Sequence, residues 1–430
     1  MNKKVYQAFN ECLFSTVLSN GLKVNILPKT GFKKTYAVLT TDFGSMDRAF
    51  TLDGEKIQIP AGTAHFLEHK LFEKAEYDAF ELFTNNGADS NAFTSYTKTS
   101  YLFSSTTGLQ ENLDILLDFV QQPYFSEKSV AKEQGIIGQE IQMYNDDFDW
   151  QLYMGILKNL FPNQSISDDI AGTVESIAKI TPELLYKVHK VFYRPENMNL
   201  FVTGNLDPDQ ILQWIKDNQQ RKEFAKVNFE IPTPESDDDE IIENRALLTK
   251  VERPKVMLGV KNAKALPQPG IERLRFIITL DLALYLILSS SSRLYLELYD
   301  EGLLDDTFGY DLNSEREALF LTLGGDTNHP TELIQALKDI LTTGLMKSDA
   351  LLKDFELAKK EMYGRSITRM NSLEAIANSF EGENYGNTTI FDEAMLYQDI
   401  SLDEVINTFD TFMKNVVIST FKMDSEQAKK

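Results

Sequence analysis

The sequence predicts an α+β fold of two similar domains, each a largely antiparallel sheet with helices packed on it. Three observations carry this. First, strand-like segments of two-residue alternation interleave with segments of helical period, and several strand-like runs sit side by side as hairpins would. That grammar suits helices on an antiparallel sheet better than a doubly wound parallel one. Second, the order strand, helix, strands, helices occurs twice. Third, a compositional break at 216–245, KDNQQRKEFAKVNFEIPTPESDDDEIIENR, separates the two occurrences. It holds two prolines, an acidic run from Glu235 to Glu240 and little apolar periodicity. The expected division is a first domain at 1–215, a linker at 216–245 and a second domain of the same fold at 246–430.

The first half opens with alternating strands at 21–27 and 35–41. Helical patterns follow at 61–72 and 76–86, the second stopped by Gly87 in a helix C-terminal role. NAFTSYT (91–97) and SYLFSSTT (100–107) are dense in the Thr, Ser, Tyr and Phe that half-buried strands favour. Helices return at 110–121, 126–144, 150–160 and 182–191, and NLFVTG (199–204) closes the half. The second half reads KVMLGVK (255–261) as strand, 271–288 as a long helix, TFGYDLN and ALFLTLGG as strands, then helices to the end. The repeat is one of pattern, not of letters.

With 430 residues, 42% of them hydrophobic and 25% charged, the chain can bury real cores, which excludes intrinsic disorder and a disulfide-stapled scaffold. Asp and Glu number 65 against 43 Lys and Arg, for a net charge of −22. Such a surface repels phosphate backbones and anionic lipid, so neither nucleic acid nor membrane is expected as a partner. It can favour cationic partners, although solubility alone is the stronger reading of it. Cys12 is the sole cysteine, so no internal disulfide and no thiolate metal cluster can form. A buried apolar thiol is expected there. The opening MNKKVYQAFNECLFSTVLSNG lacks an unbroken apolar core and a small-residue cleavage site, which reads as non-secretory, and a cytoplasmic protein is expected. The apolar stretch Phe276–Leu288, interrupted by Asp281, reads as too short for a bilayer.

The chemistry concentrates in one pentad. Of four histidines, two fall within His65-Phe66-Leu67-Glu68-His69. On a helix, positions i and i+4 share a face, so both imidazoles can point at one ion. Neutral imidazole suits Zn²⁺ at about 2.0–2.1 Å. Glu68 projects from nearly the same side and can take a proton from a water attacking a carbonyl, then pass it to a leaving amine. The order H-x-x-E-H reverses H-E-x-x-H and marks inverted zinc peptidases. A pair of plain surface histidines is the bland alternative, and chance rarely produces this pentad from four histidines. A catalytic zinc still needs a third protein ligand. His189, in the helical LYKVHKVFY, and His329, in the loop-like TNHPTE, are weak candidates. The helix AKEQGIIGQEIQMY offers Glu133 and Glu140 at i, i+7, either of which can bind the ion while the other orients a ligand. Spacing does not choose between them.

HFLEHKLFE, then DSNAFTS, then the E-x6-E helix resemble the pitrilysin/insulinase family of zinc metallopeptidases, and YRPENMNLFVTGNLDP (193–208) is similar to the segment closing that family's first domain. The resemblance implies a half clamshell of the processing-peptidase type, with His65, His69 and Glu140 as ligands of one Zn²⁺ per chain. It also implies Glu68 as the base, Glu133 as an acid behind the ligands, and Asn91 and Ala92 on an edge strand that binds substrate backbone. An extended peptide can add to such an edge without its sequence being read. The length of 430 residues resembles the family's half-length members, in which two chains enclose a chamber, so a homodimer or a heterodimer with a related subunit is implied. SSSRLYLELYDEGLLDD departs from the family. Many relatives carry an Arg and a Tyr here that grip substrate, whereas alignment places Tyr299 and Asp305 at those positions. Tyr310 lies nearby, and Arg293 reads as a helix-packing residue. A different subunit supplying the gripping residues is the expectation this motivates.

The leading reading is a zinc-dependent endopeptidase that hydrolyses peptides or small unfolded proteins in a chamber, cationic substrates being favoured. The alternative is a non-hydrolytic subunit that binds peptides or assembles a processing-peptidase-like complex. The intact base weighs against it. A purely structural zinc is weaker still, because such sites normally have four protein ligands and commonly use cysteine.

Overall fold

The structure is a computed structural model and describes residues 1–232, 240–380, 382 and 386–425. Of the acidic run at 235–240, only Glu240 lies among them. The chain begins with strands β1 (Asn2–Tyr6), β2 (Glu11–Val17), β3 (Lys23–Pro28), β4 (Thr35–Thr41), β5 (Ala49–Leu52) and β6 (Glu55–Gln58). Helices α1 (Thr63–Phe72) and α2 (Ala79–Asn85) lead to the hairpin β7 (Ala88–Thr94) and β8 (Thr99–Ser105). Then come α3 (Leu109–Gln121), α4 (Glu127–Asn145), α5 (Phe148–Leu160), α6 (Val174–Ile177), α7 (Pro182–Phe192), β9 (Met198–Gly204) and α8 (Pro208–Gln220). After β10 (Phe229–Glu230), the second half runs β11 (Asn244–Thr249), β12 (Lys255–Lys261), α9 (Ile271–Leu288), α10 (Arg293–Asp300), β13 (Gly309–Glu315) and β14 (Ala318–Asp326). It ends with α11 (Pro330–Thr343), α12 (Asp349–Arg369), α13 (Leu373–Asn378), α14 (Ile390–Asp399), α15 (Leu402–Met413) and β15 (Val417–Ser425).

Among the described residues, the first unit's main sheet has the spatial order β1-β2-β3-β9-β4-β8-β7. Every pairing is antiparallel except β3 with β9. Numbered one to five along the chain, β3, β4, β7, β8 and β9 lie in the order one-five-two-four-three. The sheet of the second unit, β11-β15-β12-β14-β13, repeats that order, again with one and five as its lone parallel pair. The repetition that the sequence shows only as pattern is therefore a repetition of topology. It is the α+β, largely antiparallel architecture expected of both halves.

The domain boundaries are more involved than a single cut. One unit comprises Met1–Met143, Asp168–Pro234 and Ser372–Phe380; the other comprises Tyr144–Ser167, Glu235–Asn371 and Glu381–Lys430, as far as these stretches are described. Each half of the sequence thus lends one helix to the other's sheet. In the first unit α13 packs on β4 and β9, burying Leu373, Ile376 and Ala377. Asn378 Oδ1 accepts from the Tyr36 hydroxyl at 3.1 Å, and the Phe380 and Phe201 rings lie 5.2 Å apart. In the second unit α5 packs on β12 and β15, where Leu152 and Ile156 join Val251, Phe421 and Met423 in a small core of their own. A boundary at 215–246 does not register this exchange, because helix-forming letters do not say which sheet they will cover. The stretch read as linker also starts inside α8, and Phe229–Glu230 pair with Leu52 and Thr51.

Local differences have local reasons. The strand expected at 91–97 runs instead from Ala88 to Thr94, because Ser95 starts a turn in which its amide donates to the Lys98 carbonyl at 2.8 Å. Cys12 is half-buried on β2 rather than buried. The apolar run expected to be too short for a bilayer lies in α9, within the stretch Ile271–Asp300 that by length and composition alone could cross one. Its packing explains its composition: Ile278, Leu282, Ala283, Leu284, Ile287 and Leu288 are buried in the second unit's core.

The α5 contact depends on two missing side chains. A Cβ on Gly155 would meet the Phe421 ring at 2.4 Å, and one on Gly259 would meet Leu160 at 2.6 Å and Ile156 at 2.8 Å. Helix and sheet approach closely only because both positions are bare. Gly155→Val should therefore destabilise the chain by about 1–3 kcal/mol, the usual cost of overpacking a core. A lowered urea midpoint of the second unit's unfolding would show it, and an unchanged midpoint would contradict the packing described.

Candidate metal centre

The site grows from α1, whose ten residues divide between two faces. Ala64, Phe66, Leu67, Leu71 and Phe72 are buried in the first unit's core. That orientation turns His65 and His69 toward α4, where Val130, Ile137 and Ile141 repeat at helical spacing on the buried side. Glu133 and Glu140, two turns apart on α4, are thereby brought opposite the two imidazoles.

His65 Nε2 lies 3.7 Å from one Glu140 oxygen, and His69 Nε2 lies 3.9 Å from the other. The three ligand atoms of this group are all within 4.8 Å of one another. The two nitrogen–oxygen separations exceed hydrogen-bond length and approach the edge of a tetrahedron with bonds of about 2.0–2.1 Å, which is about 3.4 Å. The donor set of two neutral nitrogens and one carboxylate also suits zinc chemically. A gap of ion size between three convergent donors is what a metal site would leave, so these residues fit the ion. On the far side of His69, Nδ1 donates to Glu133 at 3.1 Å, which fixes the ring with Nε2 free to bind. Glu68, buried one residue before His69, accepts a 2.5 Å hydrogen bond from the Thr94 hydroxyl at the end of β7. Lys70 is completely buried behind the histidines, 2.5 Å from Glu73 and 3.6 Å from Glu133.

Charge within the cluster is unevenly shared. Burial, with the nearby His69, pulls His65 down to about 4, so its imidazole is neutral at physiological pH. Burial also opposes charge on His69, but the Glu133 hydrogen bond and the carboxylates of Glu68, Glu133 and Glu140 outweigh it and raise His69 above its ordinary value. Glu133 is held below the usual carboxylate range: burial pushes it up, and His69 and Lys70 more than offset that. Burial raises Glu68, against the lowering effect of the Thr94 hydrogen bond.

Other sequence candidates fall elsewhere. His189 is buried on α7, donates from Nε2 to the Val120 carbonyl at 2.9 Å and stacks on Tyr193, with its pKa lowered to about 3 by burial. It is a core histidine. His329 is exposed at the start of α11 in the other unit. Arg293 is exposed and paired with Glu297 at 2.7 Å, so the packing role expected for it is absent. Asp305 pairs with Arg253 at 2.7 Å, Tyr299 is exposed on α10, and Tyr310 lies on the edge strand β13. Asn91 and Ala92 lie on β7, at the edge of the main sheet, where the Ala92 amide donates to the Asn91 side chain at 2.9 Å. Sequence reasoning assigned nothing to Thr94 or Lys70. A lysine within the apolar run of α1 was the legible sign of the latter.

Fold and site together define a two-domain α+β chain with an H-x-x-E-H helix in its first unit. It belongs to the insulinase family, peptidase family M16: that family's model matches residues 55–174, and the model described as the M16 inactive domain matches residues 179–360. The chain is 41% identical over 413 residues to the uncharacterized zinc protease YmfH of Bacillus subtilis, covering 94% of each. It is 27% identical over 358 residues to the zinc protease YmxG of the same organism, covering 80% of this chain and 81% of that one. The crystal structure of an M16-like protein from Alicyclobacillus acidocaldarius superposes with a TM-score of 0.88 at 30% identity, over 96% of this chain and 99% of that one. A Helicobacter pylori protease shares the fold at 19% identity, with a TM-score of 0.79 over 96% and 99% of the two chains.

Metal binding should be proton-linked. A metal must displace the proton that His69 retains above its ordinary pKa, so affinity falls as pH falls, by about tenfold per unit where one proton is released per ion. Competition for zinc against a chromophoric chelator at pH 6 and pH 8 measures it. Glu140→Gln should weaken zinc by more than about a hundredfold, beyond what outer-shell partners usually contribute. A flat pH dependence, or an unaffected Glu140→Gln, would contradict the site.

Proposed function

We propose that the chain is a zinc-dependent endopeptidase acting on peptides or small unfolded proteins. The observation that carries this is the convergence of His65, His69 and Glu140 beside a separately held carboxylate, Glu68. A zinc ion bound there would supply Lewis-acid polarisation and acidify a water. Glu68 takes the proton of the attacking water and returns it to the leaving amine. Its raised pKa suits the second step, and the Thr94 hydroxyl keeps it from swinging toward the imidazoles. Substrate would lie along β7 as an added strand, Asn91 and Ala92 presenting backbone groups to it. The Asn91 side chain now occupies the Ala92 amide, so an incoming peptide has to displace it. Strand addition selects extended chains by backbone, and the net charge of −22 favours cationic ones. We further propose that the working form pairs this chain with a second copy or with a related subunit.

Cleavage of a mixed fluorogenic peptide pool by the zinc-loaded chain tests this, with Glu68→Gln alongside. The variant should keep its zinc and lose about 10²–10⁴-fold in turnover, the usual contribution of a general base. Zinc binding without cleavage by the wild type would favour the peptide-binding subunit, and cleavage by Glu68→Gln at the wild-type rate would remove Glu68 from its role.

A further inference from the structure

Lys70 is the least expected residue of the centre. Its side chain is 0% exposed, on the helix that carries both imidazoles, and a fully buried lysine persists only when its charge is met. Two carboxylates meet it. Glu73, three residues on and partly exposed, lies at 2.5 Å, and Glu133 of α4 lies at 3.6 Å. If Lys70 served only to anchor its own helix, Glu73 would suffice. The second partner is the same carboxylate that grips His69 Nδ1 at 3.1 Å. Each Glu133 oxygen is thus committed to a different cation-capable group: one to His69, the other to Lys70.

We propose that Lys70 is a positioning residue of the metal centre: its buried ammonium holds the Glu133 carboxylate, which in turn holds His69 with Nε2 facing Glu140. The inference rests on the metal-site reading above and extends it one residue further from the ion. The physical argument is one of geometry. A buried carboxylate with a single partner can rotate about its terminal bond, and His69 would rotate with it; a second partner across the carboxylate removes that freedom. Lys70→Met preserves the length and volume of the side chain and removes only the ammonium, so the core around α1 stays filled.

The test measures zinc affinity of the full chain, by chelator competition, for the wild type, Lys70→Met, Glu133→Ala and the double variant. Lys70→Met should weaken zinc by about tenfold, as outer-shell partners do. Because Lys70 acts through Glu133, the double variant should bind within about threefold of Glu133→Ala. Wild-type affinity in Lys70→Met, or a double loss equal to the product of the two single losses, overturns the proposal. If the wild type binds zinc no better than Glu140→Gln, the metal-site reading itself fails, and this one with it. Should Lys70→Met not fold, Glu73→Gln replaces it, since it leaves Glu133 as the sole carboxylate on the ammonium. Zinc affinity equal to or tighter than wild type is then expected, and weaker binding overturns the proposal.

Discussion

The packing of α1 between the sheet and α4 is the constraint on which the candidate centre rests. Helical period allows a ten-residue segment one apolar stripe, and here Ala64, Phe66, Leu67 and Leu71 fill it. Once they are buried, the direction of His65 and His69 is no longer free. α4 answers with a stripe of its own, Val130, Ile137 and Ile141, which places Glu140 against the imidazoles and Glu133 behind them. The polar cluster costs desolvation, visible in the lowered His65 and the raised Glu68. The apolar contacts on both helices offset that cost. Precision at the site is therefore a property of the core beside it.

The second unit shows what the same topology looks like without such a cluster. Its α9 stands where α1 stands, between strands two and three, and its α12 stands where α4 stands. Two residues one turn apart on α9, Asp281 and Tyr285, face this region. Burial, with Glu393 and Asp311 nearby, pushes Asp281 up to about 6. The Tyr285 hydroxyl donates to Glu361 of α12 at 2.7 Å, and the Arg365 guanidinium lies 5.4 Å from the Tyr285 ring. Where the first unit gathers three donors around an ion-sized gap, the second closes the space with a hydrogen bond and an arginine. One topology thus supports two answers to the same question of how to place polar groups beside an apolar core.

Much of this was legible in the letters. The H-x-x-E-H pentad and the i, i+7 glutamates belong to strongly periodic helices, and their separation along each helix fixes their geometry. Which glutamate faced which nitrogen was not legible, because it depends on how two helices 60 residues apart in sequence dock. Thr94 carries no sign of its role in the sequence, since its partner, Glu68, lies on another element. The small β5–β6 hairpin does carry a local signal, Asp53-Gly54; both residues have positive φ, 52° and 86°, as a tight hairpin turn requires. The helix α8 is absent from the sequence reading, which closes the first half on the strand at 199–204, although an Asp207 cap followed by Pro208 announces it. The exchange of α5 and α13 lay beyond any local signal.

That exchange has a consequence for how the chain comes into being. A ribosome emits domains from the N-terminus, at about 5–20 residues per second, and ordinary domains close as they emerge. Here the residues around the candidate metal centre are all made by position 140, yet the sheet beneath them waits for Leu373–Asn378 to cover β4 and β9. From the completion of β9 at Gly204 until α13 is made, the nascent first unit carries an uncovered apolar patch. Meanwhile α5, already made, has no β12 or β15 on which to lie. The two halves are thus tied together in maturation, and a chaperone binding the growing chain would find targets on the β4–β9 face and on the apolar face of α5.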